Sequence, residues 1–355
     1  MKYPWENKIS NHKQLGGIET SVLDNGAGKG VRVAWMDTGS GLRYKIVLDR
    51  AMDIAEAFYQ EKSLAWISHA GVTSPQPFAD QGLHWLRTFG GGLLTTCGLD
   101  HVGGPEEDEH GSRGVHGKIS NQMAEIVSII QPDIRSGNLD MSITGIIRQN
   151  VIFGPCLTLK RTISGRLGEP FIRIQDEVLN EGNTSAPLML LYHFNFGWPL
   201  IDAGTDILAK GKWKYRFEGI NEPLIFKEGN DYKKCPDPLD IHLGNGEEVA
   251  FIDAAEDVNH QVVCGLYNSK IGLGVRMKYD KRSLPSLTNW QHFGVNEYVT
   301  GVEPGTHPPI GQKAAREDGS LIFLAPNETK KFEITLDVLD QQKNNNELTE
   351  FLQHI

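Results

Sequence analysis

Alternation of apolar and polar residues with a period of two, repeated in segment after segment, restricts this chain more than any other feature. Leu139, Met141, Ile143, Gly145 and Ile147 alternate with Asp140, Ser142, Thr144 and Arg148. The same pattern recurs with Ile271, Leu273, Val275, Met277 and Tyr279 against Gly272, Gly274, Arg276 and Lys278, and with Phe332, Ile334, Leu336 and Val338 against Glu333, Thr335 and Asp337. Successive side chains of an extended chain point to opposite faces, so each segment has one face for a core and one for water, which is the signature of antiparallel β-structure. Further strands are expected at Arg43–Leu48, Cys156–Ile163, Phe171–Leu179, Gln261–Tyr267 and Gly319–Leu324. Glycine, at 39 of 355 residues, exceeds the usual ~7% and falls between short runs, as frequent turns require. Helical periodicity is clear only at about 344–355, where Leu348, Phe351, Leu352 and Ile355 follow Asn344, with Glu347 three residues on as in a capping box. No linker or internal repeat interrupts the pattern. The expectation is an all-β chain with a few short helices, residues 1–355 forming one large antiparallel β-sandwich domain.

Charge and cysteine usage narrow the partners. A net charge of −10 with scattered Lys and Arg speaks against nucleic acid or an anionic membrane as the main partner. No run approaches the ~18 apolar residues of a membrane span. Met1–Lys8 lacks the apolar core of a signal peptide, and Cys97, Cys156, Cys235 and Cys264 are widely spaced without a CxxC. Both fit a cytoplasmic location with free thiols. A homodimer is compatible with the sequence.

The richest local signal is Pro187–Pro199. In an extended chain Leu188, Leu190, Tyr192, Phe194 and Phe196 share one face, while Met189, Leu191, His193 and Asn195 share the other. One face is greasy throughout; the other turns polar where His193, whose imidazole titrates near ~6.5 when unperturbed, meets what reads as a cleft. A lone histidine in such a run is more often a core residue held by a hydrogen bond, so its role depends on what else converges on it.

Four other segments compete. Trp85–Leu94 contains Gly90-Gly91-Gly92, without the Lys-Ser/Thr of a phosphate-binding loop; Arg87 just before the glycines is placed to reach the same cleft. The acidic stretch Glu106–His110, with His101 before it and His116 after it, has metal-ligand residue types in no recognised ligand spacing, and reads as a solvated, mobile loop; no metal is expected. His116, between Gly114 and Gly117, is a loop histidine presented by small neighbours, expected at the rim of the site. If Tyr298–Val302 is a strand, Glu303 stands at its end, where partial desolvation raises a carboxyl group toward neutrality.

The order and spacing of Arg-Thr-Phe-Gly-Gly-Gly-Leu, His116-Gly117, Tyr192-His193-Phe194-Asn195-Phe196-Gly197 and Gly301-Val302-Glu303-Pro304 resemble those of the galactose mutarotase-like superfamily, which includes the aldose 1-epimerases, and in particular an uncharacterised branch of it. The resemblance runs from about Asp49 to Leu339. It implies the superfamily's large β-sandwich, a monosaccharide or sugar derivative as ligand, and interconversion of α and β anomers without a cofactor. By position, His193 becomes the general acid, Glu303 the general base, and His116 a hydrogen-bonding group near the anomeric centre. The Asn-Arg pair of better-known mutarotases has no clean equivalent, but Arg50 and Asp53 lie in the comparable region. For a third carboxylate Asp240, Glu247 and Glu248 compete, and Glu248 stands for it in the candidate set. Asn195, two residues after the histidine, and Trp290, an aromatic platform, complete the substrate-binding candidates with Arg87. Two other readings stay open: a non-catalytic carbohydrate-binding or sensing protein on the same fold, and a glycoside-active enzyme, for which only one well-placed carboxylate is evident.

Overall fold

The computed structural model describes residues 5–217, 225–226 and 232–355. Two large sheets dominate them. The first runs Gly17–Val22, Arg32–Asp37, Leu42–Val47, Asp53–Tyr59, Leu94–Leu99, Ala186–Phe196, Glu297–Gly305, Ser286–Gly294, Glu248–Ala254, Gly211–Tyr215. The second runs Asp206–Ala209, Gln261–Asn268, Leu273–Asp280, Thr329–Asp340, Phe171–Asn180, Cys156–Arg166, Asp140–Asn150, Ala124–Ile130. Neighbours within both are antiparallel, as the period-two alternation requires.

The parity of the Ala186–Phe196 strand decides which way each sheet faces. Leu188, Leu190, Tyr192, Phe194 and Phe196 enter the main core, meeting Ile143, Ile147, Ile163, Ile174, Met277 and Ile334 from the other sheet. Met189 and Leu191 point the other way, into a smaller cluster with Trp85, Cys97 and Val115. The Tyr192 face is less greasy than alternation implies. Its hydroxyl donates to Asp176 Oδ2 at 2.7 Å, and that carboxylate grips Arg161, which has no exposed surface, at Nε (2.9 Å) and Nη2 (2.7 Å). Arg161 Nη1 ties the sheets together by donating to Thr96 Oγ1 (2.7 Å) and the Ala51 carbonyl (3.1 Å), with Asp53 Oδ1 at 3.3 Å.

Several local expectations need correction. The C-terminal helix spans Asn345–His354, packing Leu348 and Phe351 on Leu339, but Asn344 does not form the capping box: its Oδ1 accepts from the Asp340 N–H at 2.5 Å and so turns back to the preceding strand. Of Gly319–Leu324 only Ile322–Leu324 is a strand, because Gln312–Glu317 forms a helix immediately before it. The acidic stretch is an ordered hairpin, Glu106–Asp108 against Gly111–Arg113. Glu106 is held there by Arg113 Nε (2.8 Å) and the Lys313 N–H (3.0 Å), while Glu107, Glu109 and His110 face solvent. Among the described residues no helix is long and apolar enough to cross a membrane.

Candidate active site

Strand register brings the two proton-transfer candidates together. Leu191 lies opposite Gly305 and Asn195 opposite Gly301, so His193 falls opposite Glu303, as a directly facing cross-strand pair whose side chains share one face. Thr95 flanks His193 and Thr288 flanks Glu303 in the next strands outward. Glu303 is inside the Glu297–Gly305 strand, not at its end; Pro304 remains within the ladder opposite Leu287.

His193 Nδ1 stands 3.3 Å from Glu303 Oε1, with side-chain exposures of 7% and 2%. The pair is close yet out of line for a hydrogen bond, and each of these two buried atoms lacks a hydrogen-bond partner among the described residues. Burial pushes Glu303 well above the usual carboxyl range, and Glu247 reinforces the shift. Burial also lowers His193, to about 4. Desolvation penalises the charged form of each group, so the resting couple holds a single proton, on the carboxyl side.

Both residues form the floor of a cavity of about 230 Å³, walled by Trp85, Phe89, Trp290 and His116 and closed on one side by Glu247 and Arg216. Phe89 meets the His193 ring edge-on at 5.3 Å, and Trp290 does so at 5.4 Å. His116 is a half-buried part of this wall. Its ring is 4.9 Å from Trp85 and 5.7 Å from His193, with Nδ1 buried and without a partner among the described residues. Its backbone adopts φ +56°, uncommon for a residue with a side chain. Two hydrogen bonds hold it there, His116 N–H to the Gly103 carbonyl and Gly98 N–H to the His116 carbonyl, both 2.9 Å. Burial first, then the neighbouring His193, keeps its imidazole well below the ordinary value, so it is neutral.

The remaining candidates divide. Trp290 lines the cavity and donates Nε1–H to Glu247 Oε2 at 2.8 Å. Asn195 is fully buried behind it, Nδ2 donating to the carbonyls of Gly92 (3.1 Å) and His193 (2.9 Å). Arg87 is exposed at the end of the short His84–Arg87 turn and is not part of the wall. Arg50 and Asp53 line a separate cavity of about 210 Å³. Arg50 is held there by the Ser120 and Thr88 carbonyls and Thr73 Oγ1. Asp53, raised to about 6 by burial against the pull of Arg161, belongs to the inter-sheet network. Asp240 is exposed. Glu248 has no exposed surface and accepts the Phe226 N–H at 3.1 Å; it shares the core-facing parity of Ile252 and Ala254. The acidic residue at the cavity is its neighbour Glu247, which also accepts from Arg216 Nη2 at 2.6 Å. Alternation could not separate them, because Val249 and Phe251 are as apolar as Ala250 and Ile252; only the placement of the strand between core and cavity does. Trp85, Phe89 and Arg216 are wall residues that alternation did not single out. Trp85 and Phe89 flank a short turn in which Arg87 drew the attention, and the two rings stack at 4.3 Å.

Solved structures share this architecture. A "putative aldose 1-epimerase" from Klebsiella pneumoniae superimposes with a TM-score of 0.82 over 99% of this chain and 92% of its own, at 21% identity. A galactose mutarotase-like protein from Clostridium acetobutylicum gives 0.61 at 13% identity, covering 91% of this chain and 98% of its own. A galactose 1-epimerase from Lactobacillus acidophilus gives 0.59 at 11% identity over 91% and 98%. At such identities the likeness is one of fold. No curated protein matches the chain. A family model does, over residues 28–338, and its description is domain of unknown function DUF4432. The chain therefore belongs to the DUF4432 family, and its two packed antiparallel sheets are the galactose mutarotase-like fold.

Proposed function

We propose that this protein is a cofactor-independent sugar mutarotase, with Glu303 as general base, His193 as general acid, and His116, Glu247 and Trp290 binding the sugar. The observation that carries the reading is a convergence of unsatisfied polar atoms. His116 Nδ1, His193 Nδ1, Thr288 Oγ1 and Glu303 Oε1 are buried without hydrogen-bond partners among the described residues, and all four residues line one cavity. Each such group costs about 1–3 kcal/mol if left unpaired. A ligand bearing several hydroxyls on a compact apolar frame offsets that cost, its C–H faces lying against Trp85, Phe89 and Trp290.

Anomerisation removes a proton from the hydroxyl on the anomeric carbon and delivers one to the ring oxygen. Both oxygens are bonded to the same carbon, so acid and base must stand side by side, as Nδ1 and Oε1 do at 3.3 Å. A proton relayed from Glu303 to His193 through a hydroxyl of the bound sugar, since the two atoms share no hydrogen bond of their own, converts the neutral resting couple into carboxylate and imidazolium. The carboxylate then takes the hydroxyl proton while the imidazolium gives its own to the ring oxygen, and the C–O ring bond breaks. Rotation of the free aldehyde and reversal of both transfers closes the other anomer and restores the couple. Only protons move.

The couple also sets the pH dependence. It works while it holds one proton. Below the lowered His193 value of about 4 both groups are protonated and no base remains. Above the raised Glu303 value neither group is protonated and no acid remains. Background-corrected kcat is therefore expected to fall as pH drops toward about 4 and to fall again as pH rises through the raised Glu303 value. A limb near the ordinary histidine value of ~6.5 would place the couple in water rather than in the dry cavity.

The deciding experiment supplies fresh α or β anomers of hexoses, pentoses, deoxy sugars and sugar phosphates, with excess chelator present, and follows equilibration by NMR. Exchange above the buffer rate for one class supports the proposal. Tight binding of a sugar with no acceleration across the panel favours a non-catalytic binding protein on the same fold and retires it.

A further inference from the structure

The position two residues before Glu303 carries no side chain, and the backbone does not ask for that. Gly301 lies in the interior of the Glu297–Gly305 strand with a φ outside the left-handed region, a conformation any residue adopts. An interior strand glycine is otherwise unfavourable, since it packs nothing and loses more chain entropy on folding. Residues 301 and 303 point to the same face, and Gly301 sits between Asn195 on one neighbouring strand and Trp290 on the other. The carboxyl end of Glu303 folds back into that gap. A Cβ built on Gly301 would lie 2.1 Å from Glu303 Oε1, 3.1 Å from its Cδ and 3.3 Å from its Cγ, and these are its three nearest atoms. Everything a side chain at position 301 would first strike therefore belongs to Glu303. Oε1 is also the atom that faces His193.

We propose that Gly301 is a positioning residue: the missing side chain is the seat that lets the Glu303 carboxylate lie back along its own strand and face His193. The proposal rests on the acid/base role given to Glu303 above. It has a consequence that a packing glycine would not. The obstacle to a methyl group at 301 is the tip of one flexible side chain rather than a backbone, so the fold can yield easily, while the reacting atom is the one displaced.

The test uses the full chain and three variants: Gly301→Ala, Glu303→Asp, and the two combined. Gly301→Ala is expected to keep Tm within a few degrees of the parent and to lower kcat about 10²-fold, the scale of an ångström's misplacement of a reacting group. KM should stay within a few fold. The pH titration of the His193 ring, followed by NMR, should move in the same variant. In the Glu303→Asp background the atom that a Cβ at 301 would meet at 2.1 Å is gone, so adding Gly301→Ala should lower kcat and move the His193 titration clearly less than it does in the parent. If wild-type protein accelerates no anomer exchange, the mutarotase reading falls, yet Tm and the His193 titration still decide whether the seat exists. Parental kcat together with an unmoved His193 titration in Gly301→Ala overturns the proposal. So does a collapse of Tm in that variant, which would make the glycine a packing residue.

Discussion

Glu303→Gln and His193→Ala are each expected to lower kcat by about 10²–10⁴, the contribution of one positioned proton transfer, while sugar affinity stays within a few fold. At 1.36 kcal/mol per tenfold this is about 3–5 kcal/mol of barrier. Gln keeps the shape of the carboxyl group and its room above Gly301 but can neither accept nor return the proton. Because acid and base act as one couple, the double variant should be no slower than the slower single one. Stability should respond in the opposite sense. Glu303 is raised above its unfolded value by burial, so the folded chain binds a proton there that the unfolded chain releases between its ordinary range and the raised one, and stability falls as pH rises through that window. Gln removes this penalty, so Glu303→Gln should melt at or above the parent temperature at neutral pH. Anomer-exchange NMR beside calorimetric titration reads both effects. Unchanged kcat in either variant would remove the acid/base couple.

Asp176→Ala is expected to destabilise the fold by about 3–5 kcal/mol, the usual result of stripping one partner from a buried ion pair, with a matching loss in denaturant midpoint. Arg161 and Asp176 are both without exposed side-chain surface. Removing the carboxylate leaves a guanidinium in the middle of the sandwich with, among the described residues, only Asp53 Oδ1 at 3.3 Å as a charged partner, and takes the acceptor from the Tyr192 hydroxyl. Replacing both members, as Arg161→Met with Asp176→Leu, should cost clearly less than the single change, because no uncompensated charge stays behind. A loss under about 1 kcal/mol for Asp176→Ala, smaller than an ordinary buried hydrogen bond to a charged group, would mean that water reaches Arg161 and that this network is not what ties the sheets together.

Alternation alone separated Tyr192 from His193, because a strand has only two faces and the apolar set names the one that goes inside. The same reasoning does not separate Glu247 from Glu248, because Val249 and Phe251 are as apolar as Ala250 and Ile252; the structure buries Glu248 and puts Glu247 at the cavity, and in a strand one residue exchanges the two faces. Pro304 made Glu303 look like a strand end. The ladder runs past it to Gly305, since a proline forfeits one N–H but not its place in the register. Arg50, Asp53 and Arg87 were grouped with the site for their charge and their position along the chain. Arg50 instead spends its donors on loop carbonyls, Asp53 joins Arg161 between the sheets, and Arg87 points to water, outcomes set by partners far away in sequence.

Composition and periodicity therefore determined the antiparallel β class, the strands whose residues alternate and the inward face of each of those, because these depend on neighbours one or two residues away. Only the tertiary structure decided that residues 193 and 303 stand opposite each other, that Trp85, Phe89 and Trp290 close around them, and that Gly301 leaves space for a carboxylate. Those facts depend on the register between strands separated by more than a hundred residues, and register is fixed by the packing of all the strands at once rather than by any one of them.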